Sequence, residues 1–404
     1  MTISRLISSA ARFTILTVLA FNATSHAADP LLPDATEQVK LLRPAMLIPS
    51  WRVGPFNLRP ELSAGTTYDD NISLNATNTP DWIWTITPRL AAVADNTMDG
   101  YGTLLTIDYS PSFLFFTQHS DNDTVDHHAS LDGSWVMSKL SLGLRQRFDQ
   151  TTSGLVEVGE RLRQRQYNTE LTSRYKLGEK TSIELNPRLT ISETENLIGY
   201  TEWGVDAFLN RQLTSKIVGS FGGSGGYVDA TDGSPIQTYE RALARLTYAL
   251  TGKVELNATG GVEWRDFHNQ SSTTIPVFGV GAAYHPFEGT TITLEGHRRD
   301  EISGLLTNQD YTATTVALGI RQRVMDRLHV SFTGSYENRD YHAANSAVPS
   351  PRRDDFYLLR GEVELSLVRH LTMSVFYQYE ADDSSDSTRR FADNQVGVKG
   401  TWKL

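Results

Sequence analysis

The sequence contains no cysteine, which excludes disulfide bonds, thiolate chemistry and cysteine-based zinc sites. It also lacks, after its first residues, any stretch approaching the roughly 18 consecutive apolar residues that a transmembrane helix requires. A basic surface is missing as well, because the formal net charge is -10, and this balance argues against a nucleic-acid partner. The chain is therefore expected to have neither a helical anchor nor a nucleic-acid-binding role.

The first 27 residues have the pattern of a secretory signal. Arg5 and Arg12 precede an apolar run at residues 13–21, and small residues lead up to Ala27, where cleavage is expected. The following stretch, residues 28–54, contains four prolines and shows no sustained period. We interpret it as a periplasmic lead-in, either a free tail or a segment tucked into the barrel mouth described next.

The stretch at residues 239–267 shows the pattern that repeats through the rest of the chain. Apolar and polar residues alternate along two arms, and Thr251 and Gly252 lie at the turn between them. Alternation with a period of two indicates β-strands with one apolar and one polar face. Arms of roughly ten residues whose apolar face is free of charge favour strands that cross a bilayer over strands of a soluble sandwich.

The same alternation continues from residue 55 to residue 404. It predicts an all-β fold, a single transmembrane antiparallel up-and-down β-barrel of about 18 strands (16 to 18). The predicted strands cover residues 56–67, 82–94, 102–116, 127–137, 139–148, 162–175, 181–193, 199–213, 216–228, 237–250, 253–266, 274–285, 289–299, 311–323, 327–339, 355–367, 370–380 and 392–404.

The connections between these strands alternate in length. Short ones such as residues 177–180, 213–216 and 250–253 are separated by long polar ones such as residues 229–237 and 342–355. Short turns on one side and long loops on the other are typical of barrels in the outer membrane of Gram-negative bacteria, with turns in the periplasm. A mean hydropathy of -0.33 fits this location, because only every second residue of a barrel strand meets lipid.

Charged residues in the polar register are expected to line the lumen. Arg and Glu in facing positions would pair across the wall, which limits the cost of burying charge. Two roles stay open: a salt-bridged polar lining, or a charged track that contacts an anionic sugar polymer or sets ion selectivity. The candidate lumen residues are Arg145, Arg147, Arg188, Arg241, Arg245, Glu255, Glu263, Arg265, Arg321, Arg360, Glu362 and Glu364.

The first and last predicted strands resemble a known family. Residues 56–62 (FNLRPEL) and 68–72 (YDDNI) resemble the opening strand of outer-membrane barrels encoded in exopolysaccharide operons, the EpsL-like or putative beta-barrel porin 2 family. Residues 382–394, leading into 395–398 (QVGV), resemble that family's closing hairpin. The resemblance covers the architecture of residues 55–404. It implies a barrel that helps to export or assemble an extracellular polysaccharide.

Four short motifs resemble functional sites, and none of them is assigned a catalytic or ligand-binding role. Residues 126–128 (DHH) could supply a general base, but no nucleophile motif accompanies them, so we assign no catalytic residue and predict no enzyme. Residues 69–71 and 121–123 offer oxygen ligands without a twelve-residue calcium loop, so no metal or cofactor is assigned. The glycines of residues 222–226 precede no helix and are interpreted as thinning one strand or admitting a bulge.

The expected function is an outer-membrane channel involved in exopolysaccharide export or biosynthesis. Two alternatives stay open: a general small-solute porin, and a structural or adhesive barrel with a closed lumen. The expected partners are outer-membrane lipid and lipopolysaccharide, the barrel-insertion machinery, and a polysaccharide with periplasmic export components. Outer-membrane barrels usually end in an aromatic residue, whereas this chain ends in Leu404 after Trp402.

Overall fold

A computed structural model describes residues 51–233, 236–267, 272–303, 309–343 and 352–404. The expected signal and residues 28–50 of the lead-in lie outside the described residues. Within the described ranges, no helix is long and apolar enough to cross a membrane. The strands are β1 (Trp51–Val53), β2 (Phe56–Asp69), β3 (Asp81–Asp95), β4 (Gly102–Phe116), β5 (Thr124–Val136), β6 (Leu140–Leu155), β7 (Glu160–Gly178), β8 (Thr181–Thr194), β9 (Tyr200–Gln212), β10 (Ile217–Ala230), β11 (Gln237–Thr251), β12 (Val254–Phe267), β13 (Thr273–Tyr284), β14 (Thr290–Ile302), β15 (Gln309–Met325), β16 (Leu328–Ala343), β17 (Arg353–Val368), β18 (Leu371–Ser384) and β19 (Phe391–Lys403), with a 3-10 turn at Ser120–Asn122.

Strands β2 to β19 close into one antiparallel barrel of eighteen strands. Each strand pairs with its neighbours in sequence, and β19 returns to β2 through pairs such as Val396 with Tyr68 and Trp402 with Leu62. Closure leaves the barrel without a free sheet edge, which is what a sheet needs in hydrocarbon. The predicted fold class is confirmed, and each of the eighteen predicted strands coincides with an observed one. The boundaries differ most around residues 148–162.

The short strand β1 is an addition that the sequence pattern did not predict. It pairs with the start of β2, with Trp51 opposite Leu58 and Val53 opposite Phe56. The backbone N–H of Leu404 donates to the carbonyl of Pro60 at 3.0 Å on the same edge of β2. The end of the expected lead-in therefore extends the barrel wall just beyond the C-terminus.

The two ends of the barrel differ in their connections. At one end, turns of two to six residues such as 179–180, 213–216 and 326–327 join successive strands, and the N- and C-terminal strands also end there. At the other end, longer connections such as residues 70–80 and 117–123 join them. We call these the periplasmic end and the outer end, because outer-membrane barrels carry short turns in the periplasm.

Side chains alternate between an apolar outer face and a polar inner face. Residues opposite each other in an antiparallel pair point to the same side, so the pair Leu246 and Ala258 faces outward and the pair Arg241 and Glu263 faces inward. Exposed apolar side chains form the outward band, and examples are Trp84, Leu185, Leu209, Leu246, Val280, Val363 and Val375. A continuous band of this kind is the lipid-facing surface of a transmembrane barrel.

Small residues on β9 and β10 let two large inward side chains meet across the wall. Arg188 of β8 and Tyr239 of β11 are separated by these two strands. A Cβ atom at Gly226 would lie 2.6 Å from the Tyr239 hydroxyl and 2.3 Å from the carbonyl oxygen of Trp203, and one at Gly204 would lie 2.8 Å from Arg188 Cζ. The two glycines therefore leave the room that Tyr239 and Arg188 occupy.

The two faces predict opposite responses to a new charge on β11. Leu246→Arg places a guanidinium in lipid and is expected to cost about 2–4 kcal/mol near the bilayer midplane, less towards the interface. Thr247→Arg, one residue further along and facing inward, is the control and is expected to stay within about 0.5 kcal/mol. Urea unfolding of the barrel refolded in lipid vesicles measures both. Equal costs would contradict the assignment of the two faces.

A second prediction concerns the close approach at Gly226. Gly226→Val forces Tyr239 or the neighbouring backbone to move and is expected to cost about 1–3 kcal/mol, the usual penalty for overpacking. Gly225→Val is the matched control, because a Cβ atom there meets only the carbonyl oxygen of Tyr239, at 3.7 Å. The same unfolding measurement compares the two variants. If Gly226→Val were as stable as Gly225→Val, the packing of Tyr239 against β10 would be wrong.

Candidate channel lumen and outer mouth

The barrel register places all twelve candidate lumen residues on the inward face. Six of the eight arginines form ion pairs there, and so do two of the four glutamates. The pairs are Arg145 with Asp132 and Glu170, Arg188 with Glu202 and Asp206, Arg241 with Glu263, Arg245 with Glu184, Arg265 with Glu263, Asp300 and Asp310, and Arg360 with Glu362. In the described part of the chain, Arg147, Arg321, Glu255 and Glu364 make no ion pair.

A hydrogen-bonded cluster around Tyr239 joins β8, β9 and β11. Arg188 Nη2 donates to the Tyr239 hydroxyl at 2.5 Å, and this hydroxyl donates to Glu202 Oε1 at 2.5 Å. Arg188 Nη1 also donates to Asp206 Oδ2 at 2.9 Å. Only 2% of Tyr239 is exposed, so the cluster is shielded from solvent. Such a buried network ties the strands of this wall together through their side chains as well as through the backbone.

The fully buried carboxylate of Glu263 lies between two arginines. Arg241 Nε donates to its Oε2 at 2.6 Å, and Arg265 Nε donates to its Oε1 at 2.8 Å. Arg265 also lies 3.6 Å from Asp300 and 3.7 Å from Asp310, which belong to β14 and β15. A buried ion is tolerated only when charges and hydrogen bonds compensate it, so these arginines support the wall and are not free charges in the lumen.

Several inward aromatic rings are covered by guanidinium groups. Arg245 Cζ lies 3.6 Å from the centre of the Phe208 ring, and Arg360 Cζ lies 3.9 Å from that of Phe376. Guanidinium groups stack favourably on aromatic faces. Sugars also bind to aromatic faces, and at Phe208 and Phe376 a guanidinium already occupies one face of the ring.

Burial inside the barrel is strongest toward the outer end. The largest side chains with less than 2% exposure all lie in the outer parts of their strands or in the outer connections. They are Tyr239, Glu263, Asn71, Asp81, Asp354, Asp393, Ser303 and Ser384. In contrast, Thr247 and Glu255, which are inward residues near the periplasmic end, are exposed. The lumen is therefore most densely filled at its outer mouth.

The β6–β7 hairpin extends beyond the wall as a finger, which we define as residues 151–163. Backbone pairing of β6 with β5 ends at Gln150, and pairing of β7 with β8 ends at Gln164. Beyond these residues the two strands pair only with each other, up to Leu155 opposite Glu160. The sequence analysis placed a loop here, because alternation with an apolar outer face is absent once strands leave the lipid. Two glycines mark the close packing described next, because a Cβ atom would lie 2.8 Å from Leu74 Cγ at Gly154 and 3.2 Å from Asn75 Cβ at Gly159.

The tip of the finger contacts connections on the far side of the barrel. Ser303, which follows β14, donates to the Glu157 carboxylate. Arg352, which precedes β17, donates to the Glu157 carbonyl at 3.1 Å. Six strands separate β7 from β14, and six separate β17 from β6 around the other side of the ring. Since both partners lie well round the ring from the finger, the finger crosses the outer mouth.

Arg352 is itself fixed to the wall. It donates to Asp354 Oδ1 at 2.9 Å and its guanidinium lies 5.0 Å from the centre of the Tyr341 ring. Burial lowers the pKa of Arg352, but its hydrogen bond to Asp354 and nearby negative charge outweigh burial and leave that pKa above the ordinary value. A third contact to the finger tip comes from Arg389, before β19, which donates to the carbonyl of Val158.

The connection at residues 70–80 packs against the finger from its near side. Asn75 Nδ2 donates to the Gly159 carbonyl at 3.2 Å, and Arg161 Nη1 donates to the Ile72 carbonyl at 3.3 Å. Gly159 has a φ of +71°, which favours glycine. The outer mouth is thus crossed by a finger that is held by four different connections.

The two neighbouring histidines of the 126–128 motif, His127 and His128, point to opposite faces of their strand. His127 faces outward and lies 2.9 Å from the Tyr109 hydroxyl, whereas His128 faces inward and lies 2.8 Å from Asp149. Successive residues of a strand point to opposite faces, so the two imidazoles lie on opposite sides of the wall. They form no joint site.

Residues 69–71 and 121–123, which were candidates for oxygen ligands, make hydrogen bonds that stabilise the connections in which they lie. Asn71 is fully buried, and its Nδ2 donates to the carbonyls of Asn75 at 2.8 Å and Ala392 at 3.1 Å. Asp123 Oδ1 accepts a hydrogen bond from the backbone of Phe116 at 2.7 Å. Among the residues that the structure describes, no three potential metal ligands lie together.

Comparison with known proteins adds a partial family match. Residues 242–403, which comprise most of β11 and all of β12 to β19, match the family model described as putative beta-barrel porin 2. No curated protein matches the chain. This match supports a β-barrel porin family.

Solved structures similar to the chain include several outer-membrane barrels. OpdO of Pseudomonas aeruginosa is 11% identical, with 87% of this chain and 98% of that chain covered and a TM-score of 0.45. The siderophore receptor PirA from Pseudomonas aeruginosa is 11% identical, with coverages of 86% and 80% and a TM-score of 0.44. The FrpB iron transporter from Neisseria meningitidis is 7% identical, with coverages of 92% and 83% and a TM-score of 0.46.

Fold, lipid-facing band and family match agree with one another. A closed barrel with an apolar outer face and a charged inner face is built for a membrane, and its short turns mark a periplasmic end. The chain is therefore a closed outer-membrane β-barrel of the Gram-negative type, and its residues 242–403 match a porin family model.

Proposed function

We propose that the protein is a passive channel for small polar solutes, narrowed at its outer mouth by the finger. The observation that carries this proposal is the contact of Glu157 with Ser303 and Arg352 across the mouth. A barrel of eighteen strands is wide enough to enclose an aqueous passage, so selection by size needs an additional element inside it. The finger supplies that element.

Charged side chains of the lumen can select solutes by charge only where they are not already neutralised in ion pairs within the wall. Arg241 and Arg265 already form ion pairs with Glu263, and Arg188 forms ion pairs with Glu202 and Asp206. The inward side chains of Arg147, Arg321, Glu255 and Glu364 make no ion pair in the described residues, and they represent both signs. We therefore assign the contacts with passing ions to this second set, with weak overall charge selectivity.

The finger contacts predict an increase in conductance when they are removed. The double variant Arg352→Ala, Arg389→Ala removes two side chains that hold the finger tip, and we expect a larger single-channel conductance in planar lipid bilayers. The matched control is Arg353→Ala, Arg390→Ala, because these neighbouring arginines are exposed and pair with the exposed Asp340 and Asp383. The control is expected to conduct like the wild type.

A deletion provides the second arm of this experiment. Replacing residues 153–162 by two glycines removes the finger tip and should give the largest conductance of the series. If neither this deletion nor the double variant changes the conductance, the finger does not narrow the channel. If wild type and all variants fail to conduct although they are correctly inserted, the protein is a barrel with a closed lumen.

Exopolysaccharide export is the second candidate. Its support is the resemblance of residues 56–62 and 382–398 to barrels of exopolysaccharide operons, and residues 382–398 fall within the part that matches the porin family model. Threading of a polymer would require the finger to leave the mouth, since its tip is anchored from both sides. The resting structure therefore favours small solutes over a polymer.

Measurement of secreted polysaccharide in a clean deletion strain separates the two candidates. For a small-solute channel we expect secretion to continue at the wild-type level. Loss of secretion that is restored by the wild-type gene would overturn this expectation and make export the leading function. Uptake of small radiolabelled solutes by the same strains provides the parallel readout, because it should fall only if the protein carries them.

A further inference from the structure

Every short turn at the periplasmic end exposes a large apolar side chain. These side chains are 37% to 77% exposed, and Leu177, Leu213 and Leu250 continue the outward rows of their strands. The set, one within or beside each turn, is Met98, Met137, Leu177, Leu213, Leu250, Phe287, Met325 and Val368. Solvent-exposed turns have no reason to carry an apolar residue each, so the ring that these residues form points to an apolar neighbour.

A cation follows the apolar residue in six of these eight turns. It comes one to three positions later, at or next to the start of the following strand. The six cations are Lys139, Lys180, Lys216, Lys253, Arg327 and Arg369. These six cations outnumber the four acidic residues of the same turns, Asp99, Glu179, Glu288 and Asp326, so the turns carry a small positive excess although the net charge of the chain is -10. The combination of an outward apolar side chain with a cation just beyond it is repeated around the barrel.

Hydrogen bonds between neighbouring turns hold three of these cations in place. Lys216 Nζ donates to the carbonyl of Leu250 at 2.9 Å, and Lys253 Nζ donates to that of Pro286 at 2.8 Å. Arg327 Nη1 donates to the carbonyl of Leu367 at 3.3 Å. An ammonium has three donors and a guanidinium five, so each group is positioned by one bond and keeps other donors for a ligand.

The outer end is built differently. Ile72, Leu74 and Leu155 are only 2%, 8% and 4% exposed there, and Ile236, at 47%, is the one exposed large apolar side chain in the described outer connections. The ring of apolar residues followed by cations therefore belongs to the periplasmic end and is not a general property of the connections of this barrel. A pattern shared by all connections of the barrel would occur at both ends.

We propose that this ring binds the headgroups of anionic phospholipids in the periplasmic leaflet of the membrane. The apolar side chains enter the boundary between headgroups and acyl chains, while the cations meet the phosphates, which is how amphipathic side chains behave at interfaces. Anionic lipids attract Lys and Arg near a membrane surface, and charge-assisted bonds to phosphate are among the stronger hydrogen bonds. The inference does not depend on what the channel carries.

Native mass spectrometry of the purified full-length barrel tests the proposal. The protein is equilibrated in detergent with equal amounts of phosphatidylglycerol and phosphatidylcholine of the same chain length, and the retained lipids are counted. We expect the wild type to retain severalfold more phosphatidylglycerol. The fourfold variant Lys180→Gln, Lys216→Gln, Lys253→Gln, Arg327→Gln should lose this preference while still migrating as a folded barrel on heat-modifiable gels.

Two further variants test whether the lipid preference depends on these cations in particular. One removes positive charge elsewhere on the barrel, and the other removes the apolar side chains of the ring. Arg163→Gln, Arg165→Gln, Arg353→Gln, Arg390→Gln removes four exposed arginines from the outer end and should leave the preference unchanged. Leu177→Ser, Leu213→Ser, Met325→Ser should lower the retention of both lipids equally. Equal retention of the two lipids by the wild type, a preference that survives in the fourfold variant of the periplasmic ring, or a preference lost in the outer control would each overturn the proposal. If the basic ring binds an acidic periplasmic protein instead of lipid, the wild type is expected to retain the two lipids equally.

Discussion

The constraint on which this structure depends is the need of every backbone N–H and C=O group for a partner inside a hydrocarbon layer. A sheet meets it only when its last strand pairs with its first, as β19 does with β2. Closure fixes one face of every strand toward lipid and the other toward the lumen. Charged residues can then be concentrated inside, where Arg and Glu on facing positions compensate each other.

Compensation of charge divides the lining into two kinds of residue. Glu263 is fully buried between Arg241 and Arg265, and removing either arginine would leave this buried charge with only one of its two partners. These residues hold the wall, and their substitution would change stability before it changed transport. Residues such as Arg147 and Glu364, which make no ion pair among the described residues, can respond to a passing ion at little cost to the fold. A test of charge selectivity belongs with the second kind.

Most of the fold could be predicted from the sequence, because apolar and polar residues alternate with a period of two along a membrane strand. This alternation can be recognised within a single strand. The hairpin of β11 and β12 shows this most clearly, since lipid on one face and water on the other fix almost every residue. The finger could not be predicted in this way. Residues 151–163 leave the lipid, so no periodic pattern marks them, and their position depends on Ser303, Arg352 and Arg389, which are remote in sequence. The contact of Arg188 with Tyr239 was equally hidden, because it depends on glycines of two intervening strands.

The way in which the finger is held suggests where the channel can change shape. The barrel wall is secured by continuous backbone pairing, whereas the finger tip is secured by a small number of side-chain hydrogen bonds to separate connections. The net contribution of a hydrogen bond that involves a charged group is about 1.5–3 kcal/mol, so a few such bonds can be exchanged for water or solute contacts at a cost that leaves the wall intact. Local opening of this kind is expected to draw on the least stable elements of a structure. The outer mouth can therefore open without any strand of the barrel separating from its neighbour.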